Sequence, residues 1–256
     1  NTGSSNTAVG KSSLQSNTTG SENAAVGTCA LNANTSADSN TAVGMCALLV
    51  NTTGTRNTGL GHRALKANTD GNCNTAIGMT SLGANIGGDQ NTAVGVSALA
   101  LNTTASGNTA IGFEAMCKNT TGTGTAVGAF ALDANTTGAN NIAVGSGSLT
   151  LNTTGDNNVA IGNNSLCKNT TADDNTAVGH FSLKENTTGC RNVAVGSCAL
   201  DSNTTGKENQ AIGYLSMCAN TEGGCNVAIG AALQSNITGG NNVGVGFIAL
   251  SSNTTG

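Results

Sequence analysis

The sequence repeats one short pattern along its whole length, and this period is the strongest constraint on its fold. The copies share the pattern N-T-A-V-G-x-x-[AS]-L-x-x-N-T-T-G-x-x. With the positions of one copy numbered 1 to 17, position 5 is always Gly, position 9 is always Leu or Met, and position 12 is always Asn. Two steps are shorter by a single position, one ending at Gly124 and one with a deletion between Gly230 and Leu233. Fifteen copies fill the chain, with position 1 at residues 6, 23, 40, 57, 74, 91, 108, 124, 141, 158, 175, 192, 209, 226 and 242.

This repeat favours a β-solenoid over a helical array. The apolar positions 4 and 9 do not follow a helical spacing, and Gly, Asn and Thr are poor helix formers. We therefore expect an all-β protein, a parallel β-solenoid or β-roll of about fifteen rungs. It should form a single continuous array over residues 1–256. We predict two strands per rung, at positions 1–5 and 8–12, with the side chains of positions 4 and 9 inside. Gly at position 5 should permit a tight turn with positive φ.

The distribution of charge indicates that the first strand is covered on both faces. All 22 Lys, Arg, Asp and Glu residues lie outside positions 1–5, and position 3 is Ala or Gly in every copy. A strand with one solvated face should sometimes carry a charge, whereas strands buried on both faces contain only small or apolar residues. We therefore expect neighbouring chains to cover this strand, so that Lys at Ala110 or Ala160 would block assembly. The alternative is a monomeric roll with a dry face of small residues.

Two segments carry a resemblance to a known family. The sequences NNVAIG at Asn157–Gly162 and RNVAVG at Arg191–Gly196 resemble the N-S-V-A-I-G motif of the YadA-like head repeats of trimeric autotransporter adhesins. The resemblance runs from position 17 to position 8 of each rung. It implies a left-handed parallel β-roll, with three chains around one axis on a bacterial surface. This sequence differs in its longer period, in its added N-T-T-G turn, and in having Thr more often than Val at position 2.

The repeats N-T-A-V-G and N-T-T-G also resemble those of phage tail-fibre shafts. We therefore expect a structural fibre or filament shaft, located extracellularly, on a cell surface or on a virion. It should self-associate as a homotrimer or end to end, since neither end of the chain has a polar cap. The alternative is an adhesin head or tail-fibre segment that binds a host-surface glycan, although no insertion or aromatic cluster interrupts the repeat. Ice binding is a minor alternative, since Thr at position 2 is interrupted in the second half.

Other functional classes lack support in the sequence. The net charge is −4, which does not favour nucleic-acid binding. No apolar run approaches the roughly 18 residues of a membrane span. The two histidines, His62 and His180, both lie at position 6 and are seven rungs apart, so they cannot share a catalytic site. The chain has neither a calcium-roll motif nor C-x₂-C. We expect no enzyme activity, no cofactor and no metal site.

Asparagine at position 12 has two interpretations. Twelve of the fifteen residues lie in N-x-[ST] sequons, which would permit N-glycosylation. However, Asn68, Asn85 and Asn220 lack the hydroxyl residue and the position is still Asn, which favours a ladder of stacked amides. Asn163 forms one further sequon, and Thr at positions 13 and 14 could carry O-glycans. The predicted ladder comprises Asn17, Asn34, Asn51, Asn68, Asn85, Asn102, Asn119, Asn135, Asn152, Asn169, Asn186, Asn203, Asn220, Asn236 and Asn253.

The nine cysteines suggest one disulfide within the chain. Cys29 and Cys46 occupy position 7 of adjacent rungs, which would place their Cα atoms about 5 Å apart, within disulfide range. Cys117, Cys167 and Cys218 share position 10 but lie three rungs apart. They cannot pair within one chain, and they could either bond neighbouring copies or remain free thiols.

Overall fold

The computed structural model describes residues 2–256, which are all-β and contain no helix. Each rung contributes one short strand, and neighbouring strands pair in parallel. The predicted parallel β-solenoid, with one copy of the repeat per rung, is confirmed. The chain divides into two compact units, residues 1–123 and residues 124–256. One continuous array over residues 1–256 stays a prediction.

Unit 1 is a parallel sheet in which each strand pairs with the next along the chain. Each strand residue lies opposite the residue at the same position of the next copy, as Thr75 opposite Thr92. The strands are β1 (Thr7–Val9), β2 (Ala24–Val26), β3 (Thr41–Val43), β4 (Thr58–Leu60), β5 (Thr75–Ile77), β6 (Thr92–Val94) and β7 (Thr109–Ile111).

Unit 2 repeats the same architecture. In its last pair Val227 lies opposite Val243, an offset shorter by a single position because one residue is deleted between Gly230 and Leu233. The deletion lies outside the strands, so it leaves their register intact. The strands are β8 (Gly124–Val127), β9 (Asn141–Val144), β10 (Val159–Ile161), β11 (Thr176–Val178), β12 (Val193–Val195), β13 (Gln210–Ile212), β14 (Val227–Ile229) and β15 (Val243–Val245).

The strand side chains point the opposite way from the prediction. Position 3 lies inside, where Ala110 and Ala160 are 0% exposed. Position 4 lies on the outer face, where Ile77 is 36% and Ile161 is 40% exposed. The prediction that position 4 faces the interior is therefore wrong. The expectation that Lys at Ala110 or Ala160 would meet a partner chain is wrong for the same reason.

Leucine at position 9 explains this orientation. Its side chain is buried, as predicted, and Leu48 is 0% exposed. A Cβ placed on Gly59, at position 3, would lie 3.5 Å from Leu48 Cγ and 3.4 Å from the carbonyl oxygen of Ala64. These are ordinary van der Waals distances, so the interior holds one methyl group at position 3 and nothing larger. The larger Val and Ile side chains therefore occupy the outer face.

The predicted second strand at positions 8–12 is not formed. Residues at positions 7 and 9 have left-handed backbones, with φ of 58° at Cys46 and 49° at Leu48. An extended strand requires negative φ, so this segment forms successive turns instead. Rungs still bond here, since the Leu48 N–H donates to the Ala64 carbonyl at 3.0 Å. The prediction is wrong because a rung this short must curve tightly around a single leucine.

Glycine at position 5 is required by its backbone conformation and by the close approach of the next rung. Gly44 has φ of 133°, which L side chains rarely adopt. A Cβ there would lie 2.6 Å from the carbonyl oxygen of Gly61 in the next rung. The predicted positive-φ turn at position 5 is confirmed, and close stacking of the rungs adds a second reason for the glycine.

Adjacent residues of β10 provide a direct test of this orientation. Ala160→Lys should lower the free energy of unfolding by more than about 3 kcal/mol, since it forces an ammonium group into an apolar interior. Ile161→Lys, one residue later, should cost no more than about 1 kcal/mol in the dissociated chain, because its side chain reaches solvent there. Denaturant unfolding followed by circular dichroism measures both values. Equal losses for the two variants would contradict the assigned orientation.

Candidate functional site

The position-12 asparagines form a file of hydrogen-bonded amides within each unit. Asn102 donates from Nδ2 to Asn85 Oδ1 at 2.9 Å and to the Ala105 carbonyl at 3.0 Å. Asn119 in turn donates from Nδ2 to Asn102 Oδ1 at 3.1 Å. The same pattern recurs in unit 2. Every one of these asparagines is buried except Asn253, which is half-buried.

A second file of asparagines runs along position 1. The Asn91 backbone N–H and its Nδ2 both donate to Asn74 Oδ1, at 3.0 Å and 3.2 Å. Asn91 Nδ2 also donates to the Ala105 carbonyl at 2.9 Å. One carbonyl at position 15 therefore accepts hydrogen bonds from both asparagines of its rung. Sequence reasoning used position 1 only as a marker of register, although Asn in fourteen of fifteen copies was a signal for this second ladder.

The buried amides leave no room for N-glycans in the folded rung. Asn152 donates from Nδ2 to Asn135 Oδ1 at 3.0 Å and to the Gly155 carbonyl at 2.9 Å. A glycan would replace one of these hydrogens and would have to pass through the interior. The sequon at Asn163 differs, because its side chain is exposed.

The threonines that follow position 12 divide into two kinds. At position 13 the hydroxyl donates to the carbonyl of the next rung, as Thr153 Oγ1 does to Thr170 at 3.0 Å and Thr204 Oγ1 to Thr221 at 3.1 Å. At position 14 the side chains are exposed, as in Thr154 and Thr205. Position 14 therefore offers the hydroxyls that a modifying enzyme could reach.

The outer sides of the strands form an uncharged surface, made mainly of apolar and threonine side chains, which we call the strand face. It consists of the side chains at positions 2 and 4. Leu60 and Ile111 are 43% and 40% exposed in unit 1, and Ile142 and Ile212 are 40% and 41% exposed in unit 2. No Lys, Arg, Asp or Glu lies at positions 1–5 of any copy. Large exposed apolar surfaces mark sites of interaction, so the strand face is the candidate functional surface.

The titratable groups of unit 2 include one cluster of ion pairs. Lys168 and Lys184 both pair with Glu185, and the hydrogen bond from Lys168 is the main reason that the pKa of Glu185 is lowered. Burial raises the pKa of the Asp201 carboxyl. Burial also raises the pKa of the Cys167 thiol, which keeps it protonated and weakly nucleophilic.

All nine cysteines are free thiols in the structure. Cys29 and Cys46 are both half-buried, and the disulfide expected between them is not formed. Within residues 2–256, no three His, Cys, Asp or Glu side chains come close enough together to hold a metal ion. The same residues contain no helix able to cross a membrane.

Comparison with protein families, curated proteins and solved structures finds no match to this chain. Its class therefore follows from its own architecture. The stacked rungs, the two amide files and the continuous strand face in each unit define a β-solenoid repeat protein.

Substitution in the position-12 file should destabilise the fold. Asn102→Ala removes three hydrogen bonds and leaves buried groups on Asn85 and Asn119 short of a partner. We expect a loss of about 1–3 kcal/mol in the free energy of unfolding. The control Asn163→Ala, at an exposed position, should change it by less than about 0.5 kcal/mol. Thermal and denaturant unfolding measure both values. If Asn102→Ala left the free energy of unfolding unchanged, the position-12 file would not stabilise the stack of rungs.

Proposed function

We propose that this chain is a structural segment of an extracellular fibre, whose copies associate side by side through their strand faces. The supporting observation is the strand face itself, which exposes a row of apolar side chains at position 4 and is free of charge over successive rungs. Covering a side chain that is about 40% exposed, such as Ile161, would contribute about 0.5–1 kcal/mol. Because the same contribution recurs at each rung, a long file of weak contacts can offset the entropic cost of association.

The repeat favours another copy of this chain as the partner. A second copy has the same rung spacing, so every rung can meet a rung with no loss of register. A surface with a different period would match at only a few places. The resemblance to YadA-like head repeats and to tail-fibre shafts supports a homotrimer on a cell surface or a virion. The two buried amide files suit a mechanical role, since they tie each rung to the next.

Ice binding is a second candidate, and one observation favours it. The orientation of the strands places Thr at position 2 and Val, Leu or Ile at position 4 on the same outer face. In unit 1 this pattern is uninterrupted from β3 to β7, with Thr41, Thr58, Thr75, Thr92 and Thr109 at position 2. Such a regular array of hydroxyl and methyl groups could order water. A monomeric protein that inhibits ice recrystallisation, and loses that activity in Thr75→Lys, would favour this candidate over self-association.

Self-association can be tested with charges placed on the strand face. The parent should be oligomeric in sedimentation equilibrium. Ile77→Lys/Ile161→Lys should weaken association by at least about 100-fold, or about 2.7 kcal/mol, because it buries unpaired ammonium groups at the interface. Its circular dichroism should match that of the parent.

The matched control places the same charges elsewhere. Thr154→Lys/Thr205→Lys introduces two lysines at position 14 of unit 2, where both side chains are exposed and lie outside the strand face. This variant should associate like the parent. A parent that stays monomeric at all concentrations would refute the proposed function.

A further inference from the structure

Unit 1 carries its bases and acids on opposite sides of the strand face. Positions 6–11, which follow the strand, contain four bases and one acid, Glu114. Positions 14–17, which precede the next strand, contain four acids and one base, Arg56. We call the two sides the basic edge and the acidic edge. The basic edge comprises Lys11, Arg63, Lys66 and Lys118, and the acidic edge comprises Glu22, Asp38, Asp70 and Asp89.

Three bases of the basic edge have no partner within their own chain. Lys11 and Arg63 are exposed, Lys66 is half-buried, and none of them forms an ion pair with any of residues 2–256. Arg63 and Lys66 border a groove of about 280 Å³ with an apolar floor that includes Leu101. Lysines and arginines without a local acid are available to an acidic surface outside the chain.

The acidic edge has a groove of its own. It measures about 220 Å³ and is bordered by Glu22, Asp38 and Arg56. Asp38 accepts a hydrogen bond from the Ser21 backbone N–H at 2.7 Å, and Glu22 accepts one from Ser39 Oγ at 3.1 Å. These bonds hold the carboxylates in place while both side chains remain exposed. The edge therefore presents ordered negative charge to solvent.

We infer that the basic edge of unit 1 in one copy binds the acidic edge of unit 1 in a neighbouring copy, so that the copies associate in parallel. The inference rests on the proposed function, because the two edges meet only if the strand faces come together. Opposite charges on the two sides of an interface select orientation and partner more than they raise affinity.

The parallel orientation follows from the geometry of two strand faces in contact. A rotation about an axis parallel to the solenoid of unit 1 exchanges left and right, so the basic edge of one copy lies beside the acidic edge of the other. An antiparallel pair places like edges side by side, which repels. If the two copies are not shifted along this axis, each rung of one copy also lies beside the same rung of the other. Lys11, which follows β1, then lies about one rung from Glu22 of the neighbouring copy, which precedes β2.

Unit 2 lacks this separation of charge. Lys168 and Lys184 pair with Glu185, and Arg191 pairs with Glu208 at 2.9 Å, all within the chain. Its positions 6–11 hold two bases and three acids. The orientation of neighbouring copies is therefore expected to be set by unit 1.

Charge reversal in the full chain tests the inference. Lys11→Glu/Arg63→Glu makes both edges of unit 1 acidic, and Glu22→Lys/Asp70→Lys makes both edges basic. Each variant alone should associate about tenfold more weakly than the parent at low salt. An equimolar mixture of the two should recover the association of the parent, because unlike edges meet again. The differences should shrink at high salt, where screening weakens contacts between exposed charges.

A control variant and an orientation measurement complete the test. Arg191→Glu/Lys207→Glu changes the net charge as much as the first variant but lies in unit 2, and it should associate like the parent. In mixtures of donor-labelled and acceptor-labelled parent, energy transfer between two dyes at the start of unit 1 should exceed transfer between a dye at the start and a dye at the end of unit 1. Association that does not respond to charge reversal at either edge, or stronger transfer between the start and the end of unit 1, would overturn the inference alone. A parent that does not associate would instead refute the proposed function.

Discussion

In most rungs two asparagine side chains converge on one backbone carbonyl, and the narrow interior depends on this convergence. A rung this short turns so tightly that some backbone carbonyls face inward, where they need hydrogen-bond donors. At position 15 the carbonyl of Ala105 accepts from Asn91 and Asn102 together. Each amide also has an oxygen, which accepts from the next rung. Asparagine suits this role because its short side chain both donates and accepts, whereas an ionised aspartate only accepts.

The same narrowness explains the exposed apolar surface. Once Leu at position 9 and the two asparagines fill the interior, only a methyl group fits at position 3. The β-branched residues that favour a strand must then lie outside, at positions 2 and 4. The strand face is thus a consequence of how little the rung can enclose, and an outer layer of neighbouring copies would complete the burial that a single chain cannot provide.

Backbone strain is distributed along both units. Leucine rarely adopts positive φ, which costs about 1–2 kcal/mol per residue. Nevertheless Leu48, Leu82 and Leu166 all have φ near 50°. Such conformations persist only where the surroundings determine them. Here the hydrogen bonds to the rungs above and below and the burial of the leucine side chain hold the backbone in place. Isolated rungs should therefore be unstable, and stability should come from stacking.

Much of the candidate site could be predicted from the sequence, because repetition reports what each rung requires. The period, the parallel register, the glycine at position 5 and the buried leucine follow from strict identity at fixed positions. The amide file at position 12 follows from asparagines that persist without the sequon hydroxyl, as at Asn85. The absence of charge from positions 1–5 likewise identified the strand whose outer face is exposed and uncharged.

The sequence alone determined which positions matter, but only the tertiary structure decided which way they face. Period-two alternation permits either face of a strand to point inward, and hydrophobicity favoured Val and Ile over Ala. The volume left beside Leu48 reversed that choice, and volume depends on how the rung closes. The left-handed residues that replace the second strand, and the shared carbonyl that joins the two asparagine files, depend on the same closure. They arise from contacts between residues distant within one rung and between neighbouring rungs, which no local pattern encodes.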